Sequence, residues 1–418
     1  MKRYLQDKKK SIVLFFALFI TYSLIYMTKN CYSAAMASIV NAGIMTKTET
    51  GMIAAVFYLV YAPFQIVGGI AADKFSPAKL LLFGTAGAGV CNLLVYFFSD
   101  NYIAMLIIWS LNAVIQFGIW PSVFKIIVSQ LAPEHRTRGV YFIHFAQTVG
   151  LTVSYLCGAV IDDWRNNFLL SAIVLFLLVV VFSAIYVPIS HSMVIDESVM
   201  ASAENKTKKK AATSKLILLV LSSGIPLLLI AYIVQGIMNI GLKALVPVML
   251  LESYESVTPE IANILNAVLI VLSPLGMLLG AIPVFKRFSY PTVIAILFAV
   301  CVPLALVLTF VGEANMFIIM AALFIIICAM GAMSAYFSYC SKTFEKYGIS
   351  GTLSGTFNCM SALALFFANY VFMGIAEQHG WGVTTKIWLI IAIVALALAI
   401  ISIFFWKRFL KKTESFTE

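Results

Sequence analysis

Three lysines stand where lysine is costly. Lys29, Lys125 and Lys243 fall inside long apolar runs, and none of the 18 Asp and Glu residues lies deep in such a run. On insertion scales a lysine at the centre of a membrane-spanning helix costs about 2.5–3.5 kcal/mol. That cost is tolerable where the ammonium meets water and an anion, so these residues point to an anion-binding site. Tyr22, Tyr26 and Lys29 recur at i, i+4 and i+7 and share one helical face. Gln235, Asn239 and Lys243 recur every four residues and share another. Lys243 lies in the outer half of its run, and Lys125 lies near the end of its own; snorkelling to the surface is the competing role for both. Between Gln116 and Lys125 stand Trp120 and Pro121, which predict a kinked helix. His144, one turn below Gln147 and Thr148, is either a proton-sensitive group or a hydrogen-bonded packing residue. Asn263, Asn266, Asn358 and Asn369 suit interhelix hydrogen bonds as well as ligand contacts. Tyr58, Tyr61, Gln65, Tyr336 and Tyr339 suit contact with a sugar or glycerol moiety as well as packing.

Other chemistries are excluded by what the pattern lacks. The 7 cysteines show no CxxC or Cys/His spacing, so neither a metal site nor disulfides are expected. No Walker A or HExxH sequence occurs. The chain is read as no enzyme, with no cofactor, and its expected partners are a small anionic substrate and membrane lipid.

The elements that position these residues follow from composition. Of 418 residues, 62% are hydrophobic and 11% charged, with mean hydropathy +1.00. A soluble chain is about a quarter charged; this one lacks the polar residues to cover a water-facing surface. Twelve apolar stretches emerge: 12–38, 50–72, 79–98, 102–130, 139–161, 167–189, 226–250, 259–284, 290–312, 315–340, 352–376 and 384–406. Each approaches or exceeds the roughly 20 residues needed to cross a bilayer, and backbone groups in lipid must be paired within the segment, so each is a helix. The fold class expected is all-α integral membrane.

The net charge of +10 is topology rather than nucleic-acid binding. With the N-terminus inside, the external segments hold only Lys47, Arg165 and Lys386 of the 28 lysines and arginines. Apart from the three intramembrane lysines, all others are cytoplasmic. This asymmetry and the even number of spans place both termini in the cytoplasm. A basic linker, 190–214, with Lys206, Lys208, Lys209 and Lys210, separates a six-helix half at 1–189 from another at 215–418. Short echoes support two pseudo-repeats: Gly139 and Gly158 recur as Gly355 and Gly374, Trp164 as Trp381, and Lys74-Phe75-Ser76-Pro77 as Arg287-Phe288-Ser289-Tyr290-Pro291. Spans 3, 6, 9 and 12 are almost wholly apolar, so they shield the eight that carry amides, tyrosines and lysines.

Three motifs add a family resemblance. Gly69-Ile70-Ala71-Ala72-Asp73-Lys74 resembles the major facilitator superfamily's loop after its second helix, G-x-x-x-D-[RK]. Tyr26-x-x-Lys29, followed by Tyr32, Ala35 and Met36, is similar to the first-span motif of the organophosphate:phosphate antiporters, which include glycerol-phosphate and hexose-phosphate carriers. Gln116-x-x-x-Trp120-Pro121, followed by Lys125, is similar to their fourth-span motif. The resemblance implies twelve helices in two halves that rock about the substrate, with Gly69, Asp73 and Lys74 governing the rocking. It also implies substrate contacts from Lys29, Tyr22, Tyr26, Gln116, Lys125 and Gln147 in one half and from Asn239 and Lys243 in the other. The chain departs from the pattern in having Lys29 for the family's first arginine, Asn239 for its second, and Gln147, with His144 one turn away, for its histidine. Arginine grips phosphate as a fork, whereas lysine is a hydrated point charge. A carboxylate or another phosphorylated compound therefore stays open as substrate. The expected function is exchange of small organic anions by a monomer in the plasma membrane. The alternatives are a proton-coupled sugar-acid symporter using His144 and a transporter-like sensor of sugar phosphate.

Overall fold

The computed structural model describes residues 3–195, 219–276, 287–344, 347 and 350–414. The linker lysines Lys206, Lys208, Lys209 and Lys210 lie outside them. Helix α1 runs Lys8–Asn41, α2 Lys47–Lys74, α3 Pro77–Phe97, α4 Tyr102–Gln130, α5 Pro133–Val160 and α6 Asn166–His191. Helix α7 runs Ile225–Ser253, α8 Pro259–Leu272, α9 Tyr290–Leu308 and α10 Met316–Lys342. The next begins as Ser350–Phe366 and passes through a π turn at Phe367–Phe372 into Met373–Glu414. Gly380, at φ 78° and ψ 172°, breaks that last segment. A side chain is strained in this backbone region, so glycine sets the boundary; α11 ends there and α12 begins.

Ten stretches of the described residues are long and apolar enough to cross a membrane. The last of them, Cys359–Lys411, holds both α11 and α12, and the 28-residue α2 completes the twelve. The helices start where local chemistry favours a start. Asp7 accepts hydrogen bonds from the Lys9 and Lys10 amides, Asn101 from Ala104 and Asn315 from Phe317. Proline opens α3, α5, α7 and α9, where its missing N–H costs nothing. Gly224, at φ 83°, caps α7 just ahead of Pro226.

The chain forms two compact units. One holds the first six helices apart from Thr46–Gly51, together with Pro259–Ala267. The other holds the last six apart from that segment, together with Thr46–Gly51. In the first, α1 packs along α5 and α6, and α3 packs on α4 and α6. Leu14, Leu18, Ile25, Ile143 and Ala146 belong to its apolar core. In the second, α7 lies on α11, and α9 packs on α10 and on Met373–Glu414. The four helices expected to act as shields all expose apolar side chains, among them Phe97 on α3, Val180 on α6, Leu306 on α9 and Phe404 on α12. That surface suits hydrocarbon and not water.

A short antiparallel pair joins Arg3–Tyr4 to Val194–Ile195. Leu5 next to it is fully buried and donates its amide to the Gln130 carbonyl.

Candidate functional site

Lys29 sits in a cage of aromatic rings. Its ammonium lies 3.8 Å from the ring centre of Tyr61, 5.3 Å from Phe57, 5.6 Å from Tyr26 and 5.8 Å from Tyr58. Tyr26 comes from the same helix, one turn earlier; the other three line one stretch of α2. Among the described residues Lys29 has neither a carboxylate within 4.0 Å nor a hydrogen-bond acceptor. Cation–π attraction offsets part of the cost of taking the ammonium out of water while leaving its charge available to an anion.

The wall continues from the cage along α1, α4 and α5. Tyr26 meets Tyr22 edge-on at 5.8 Å, and Tyr22 lies 5.4 Å from Trp120. Gln147 Nε2 donates to the Tyr22 hydroxyl at 2.9 Å. Trp120 then touches the His144 ring at 5.4 Å. Thus Lys29, Tyr26, Tyr22, Gln147 and His144 line one continuous strip of the first unit.

The irregular turn ahead of Trp120-Pro121 has a local cause. Proline has no N–H to offer the carbonyl four residues back, which is that of Phe117. Here α4 tightens into a 3-10 turn over Gln116–Gly118. Gln65 Nε2, from α2, donates to the freed Phe117 carbonyl at 3.3 Å. Gly68 lets α2 approach that carbonyl, since a Cβ there would collide with it. Gln116 is 2% exposed and donates to Asn112 Oδ1 at 2.8 Å, so its amide N–H is already engaged. Lys125 is not part of the cage: its ammonium donates to the Ala72 carbonyl, within the Gly69–Lys74 motif. In that motif a Cβ on Gly69 would meet nothing within 4 Å, Lys74 is exposed, and the Asp73 side chain lies outside the described ones.

In the second unit the expected common face of α7 is divided. A π turn occupies Ile237–Gly241, and its wider turn rotates Leu242–Ser253 relative to Ile225–Gly236. Gln235 Nε2 therefore donates to α10, at 2.8 Å from both the Met330 carbonyl and Ser334 Oγ. Lys243 Nζ instead donates to Ser273 Oγ at 3.3 Å. Asn239 lies within the π turn, and its Oδ1 is buried with no hydrogen-bond partner among the described residues. An unpaired buried carbonyl costs about 1–3 kcal/mol, a cost that a donor from a ligand would relieve.

Phe57 and Ser273 are not among the residues that the sequence pattern singles out. The spacing of Phe57 with Tyr58 and Tyr61 is a usable signal for the first. Nothing local marks the second. Among the described residues no three His, Cys, Asp or Glu side chains gather as metal ligands would.

Comparison with known proteins agrees with this architecture. Residues 18–369 match the model described as Major Facilitator Superfamily. A membrane sensor protein UhpC of Salmonella typhimurium is 34% identical over 95 residues, which are 23% of this chain and 21% of that protein. A probable hexose phosphate transport protein of Chlamydia pneumoniae is 24% identical over 160 residues, 37% of this chain and 34% of that protein. The chain therefore spans about a fifth to a third of the length of these relatives. Among solved structures, a bacterial homologue of the human lysosomal transporter Spinster, inward-facing and unoccupied, superposes with TM-score 0.76 at 13% identity, covering 96% of this chain and 99% of that one. A D-xylose–proton symporter gives TM-score 0.70 at 16% identity, with 96% and 98% covered. At these identities the likeness is one of fold.

Proposed function

The chain belongs to the major facilitator superfamily, and from that premise we propose that it carries small organic anions across the membrane by exchange. The observation that carries the reading is Lys29, an intramembrane ammonium held by four rings and faced by no carboxylate among the described residues. Tyr22, Tyr26 and Gln147 offer hydroxyl and amide contacts beside it. Asn239 and Lys243 are the proposed contacts from the second half. A polyhydroxylated anion such as a sugar phosphate suits these groups, and the hexose-phosphate relative supports that choice. In this reading 1–189 and 215–418 act as two six-helix halves of a plasma-membrane monomer with both termini cytoplasmic.

Exchange follows from electrostatics. Bound anion neutralises the lysine, so the loaded carrier can close. The empty carrier must enclose an uncompensated charge, at several kcal/mol. A difference of about 3 kcal/mol in the closing barrier is roughly a hundredfold in rate. Vesicles containing the purified chain and loaded with phosphate, a sugar phosphate or a sugar acid should take up external label far faster than empty vesicles. Rapid uphill uptake into empty vesicles, abolished by an uncoupler and lost in His144→Gln, would replace exchange with proton coupling.

The match to sensor proteins favours a second reading, in which the same site binds sugar phosphate and signals. Saturable binding with no flux in the loaded vesicles would select it.

A further inference from the structure

The turn joining α2 to α3 borders an open surface cavity of about 420 Å³, lined by Lys74, Phe75, Ser76, Lys79, Leu80 and Phe83. Its lining is ordered by polarity. Lys74 ends α2 and Lys79 lies in the first turn of α3. Both are exposed, and neither forms an ion pair among the described residues. Phe75 is 67% exposed and Phe83 62%. Phe83 stands one helical turn beyond Lys79, about 6 Å further along α3. Two ammonium groups therefore mark the end of the bundle, with aromatic surface beside and beneath them.

The geometry points to a binding site for one anionic phospholipid: phosphate between Lys74 and Lys79, the Ser76 hydroxyl donating to it, and acyl chains along Phe75 and Phe83. Size agrees, because ligand cavities run from about 300 to 1,000 Å³ and a phosphoglycerol head group needs less than this. Charge agrees as well. From Gly69 to Phe83 the sequence has Asp73 as its one acid against Lys74 and Lys79, so the turn is net positive. A third ammonium, that of Lys125, reaches the Ala72 carbonyl nearby. Snorkelling alone would explain two lysines at a membrane boundary. It would not select the head-group type, and it does not require a cavity shared by both.

The test is native mass spectrometry of the full chain released from mixed micelles of phosphatidylglycerol and phosphatidylcholine. Each lysine near an anionic surface is worth about fivefold in binding. The wild type should retain one phosphatidylglycerol preferentially, and Lys74→Gln with Lys79→Gln should lose most of that preference while phosphatidylcholine retention stays the same. Lys74→Arg with Lys79→Arg should keep it, which separates charge from folding. Each single glutamine variant should lose part of it. Equal retention of the two lipids by the wild type overturns the proposal. So does an unchanged preference in the double glutamine variant, which would place the lipid on other basic residues. Displacement by millimolar glycerol phosphate or inorganic phosphate would assign the cavity to a soluble anion instead.

Discussion

Lys29 obtains from aromatic faces what most buried cations obtain from a carboxylate. A cation over a ring is worth about 0.5–2 kcal/mol, and more when desolvated. That is enough to hold the ammonium in place, and it adds no negative charge to compete with an anion. Lys29→Ala should therefore abolish exchange while the protein still inserts, and Lys29→Arg should keep the charge and a measurable rate. Wild-type flux in Lys29→Ala would remove the residue from the site. The ring nearest the ammonium allows a finer test. Tyr61→Phe keeps the face that lies 3.8 Å from Lys29 Nζ and should leave anion affinity nearly unchanged. Tyr61→Leu removes the face and should weaken affinity about two- to thirtyfold. Equal losses in both, measured by competition in counterflow, would assign the role to the hydroxyl. The lysine itself is legible in sequence, because an intramembrane cation without an acid stands out by residue type. Its cage is less so. Tyr58 and Tyr61 are recognisable as polar aromatics on α2, but that they meet Lys29 while Gln65 meets the Phe117 carbonyl depends on how α2 is rotated about its axis.

At the scale of the helix, α7 and α11 show why a four-residue pattern misleads. Gln235, Asn239 and Lys243 form one face only if α7 is regular throughout, and the π turn at Ile237–Gly241 makes it irregular. The packing against α11 gives the turn a consequence. Gly236 and Gly241 lie five residues apart, and both face alanines four residues apart, Ala364 and Ala368. The wider turn brings five residues on one helix into register with four on the other. No propensity marks that insertion; it becomes visible only in the partner's register. A Cβ at Gly241 would lie 2.6 Å from the Ala368 Cβ. Gly241→Ala should therefore lower the thermal stability of the detergent-solubilised protein, by about 1–3 kcal/mol. Ala368→Gly in the same chain should recover most of the loss. A double variant no more stable than Gly241→Ala alone would place the strain elsewhere. The 3-10 turn in α4 is the opposite case: Pro121 is visible in the sequence, and the turn at Gln116–Gly118 lies just ahead of it.

For the whole molecule, the twelve spans are legible because lipid demands long apolar helices, and the helix starts are legible because proline and capping residues mark them. What the sequence conceals is how distant helix ends meet. Gly158 and Gly374 are readable as echoes of one another; a Cβ added to the first would lie 3.0 Å from Asn263 Nδ2 near the start of α8, and one added to the second 3.6 Å from Thr48 Oγ1 at the start of α2. Around Thr48 a polar cluster ties down the opening turn of α2. Lys47 Nζ donates to Glu252 Oε2 at 3.1 Å and to the Ala376 carbonyl at 3.2 Å. Trp381 Nε1 donates to the same Glu252 oxygen at 2.7 Å. Glu377 Oε2 accepts the Thr48 amide at 2.5 Å, where a carboxylate is favoured by a helix N-terminus. The Lys47 and Glu252 side chains are 17% and 27% exposed, so the cost of desolvating both charges offsets much of the ion pair's attraction. Glu252 matters more than the pair because it also accepts the tryptophan N–H. Glu252→Ala should raise the population in which the α2 turn is released by about fivefold per kcal/mol removed. Labelling of Thr48→Cys by a membrane-impermeant maleimide, over the background of the native cysteines, reads that population. Glu252→Gln, which keeps an acceptor for Trp381, should raise labelling less than Glu252→Ala. High salt should raise it only slightly in the unmutated protein, because a partly buried pair is screened much less than an exposed one. Labelling that is the same with Glu252, Gln and Ala would show that apolar packing, and not this cluster, holds the turn.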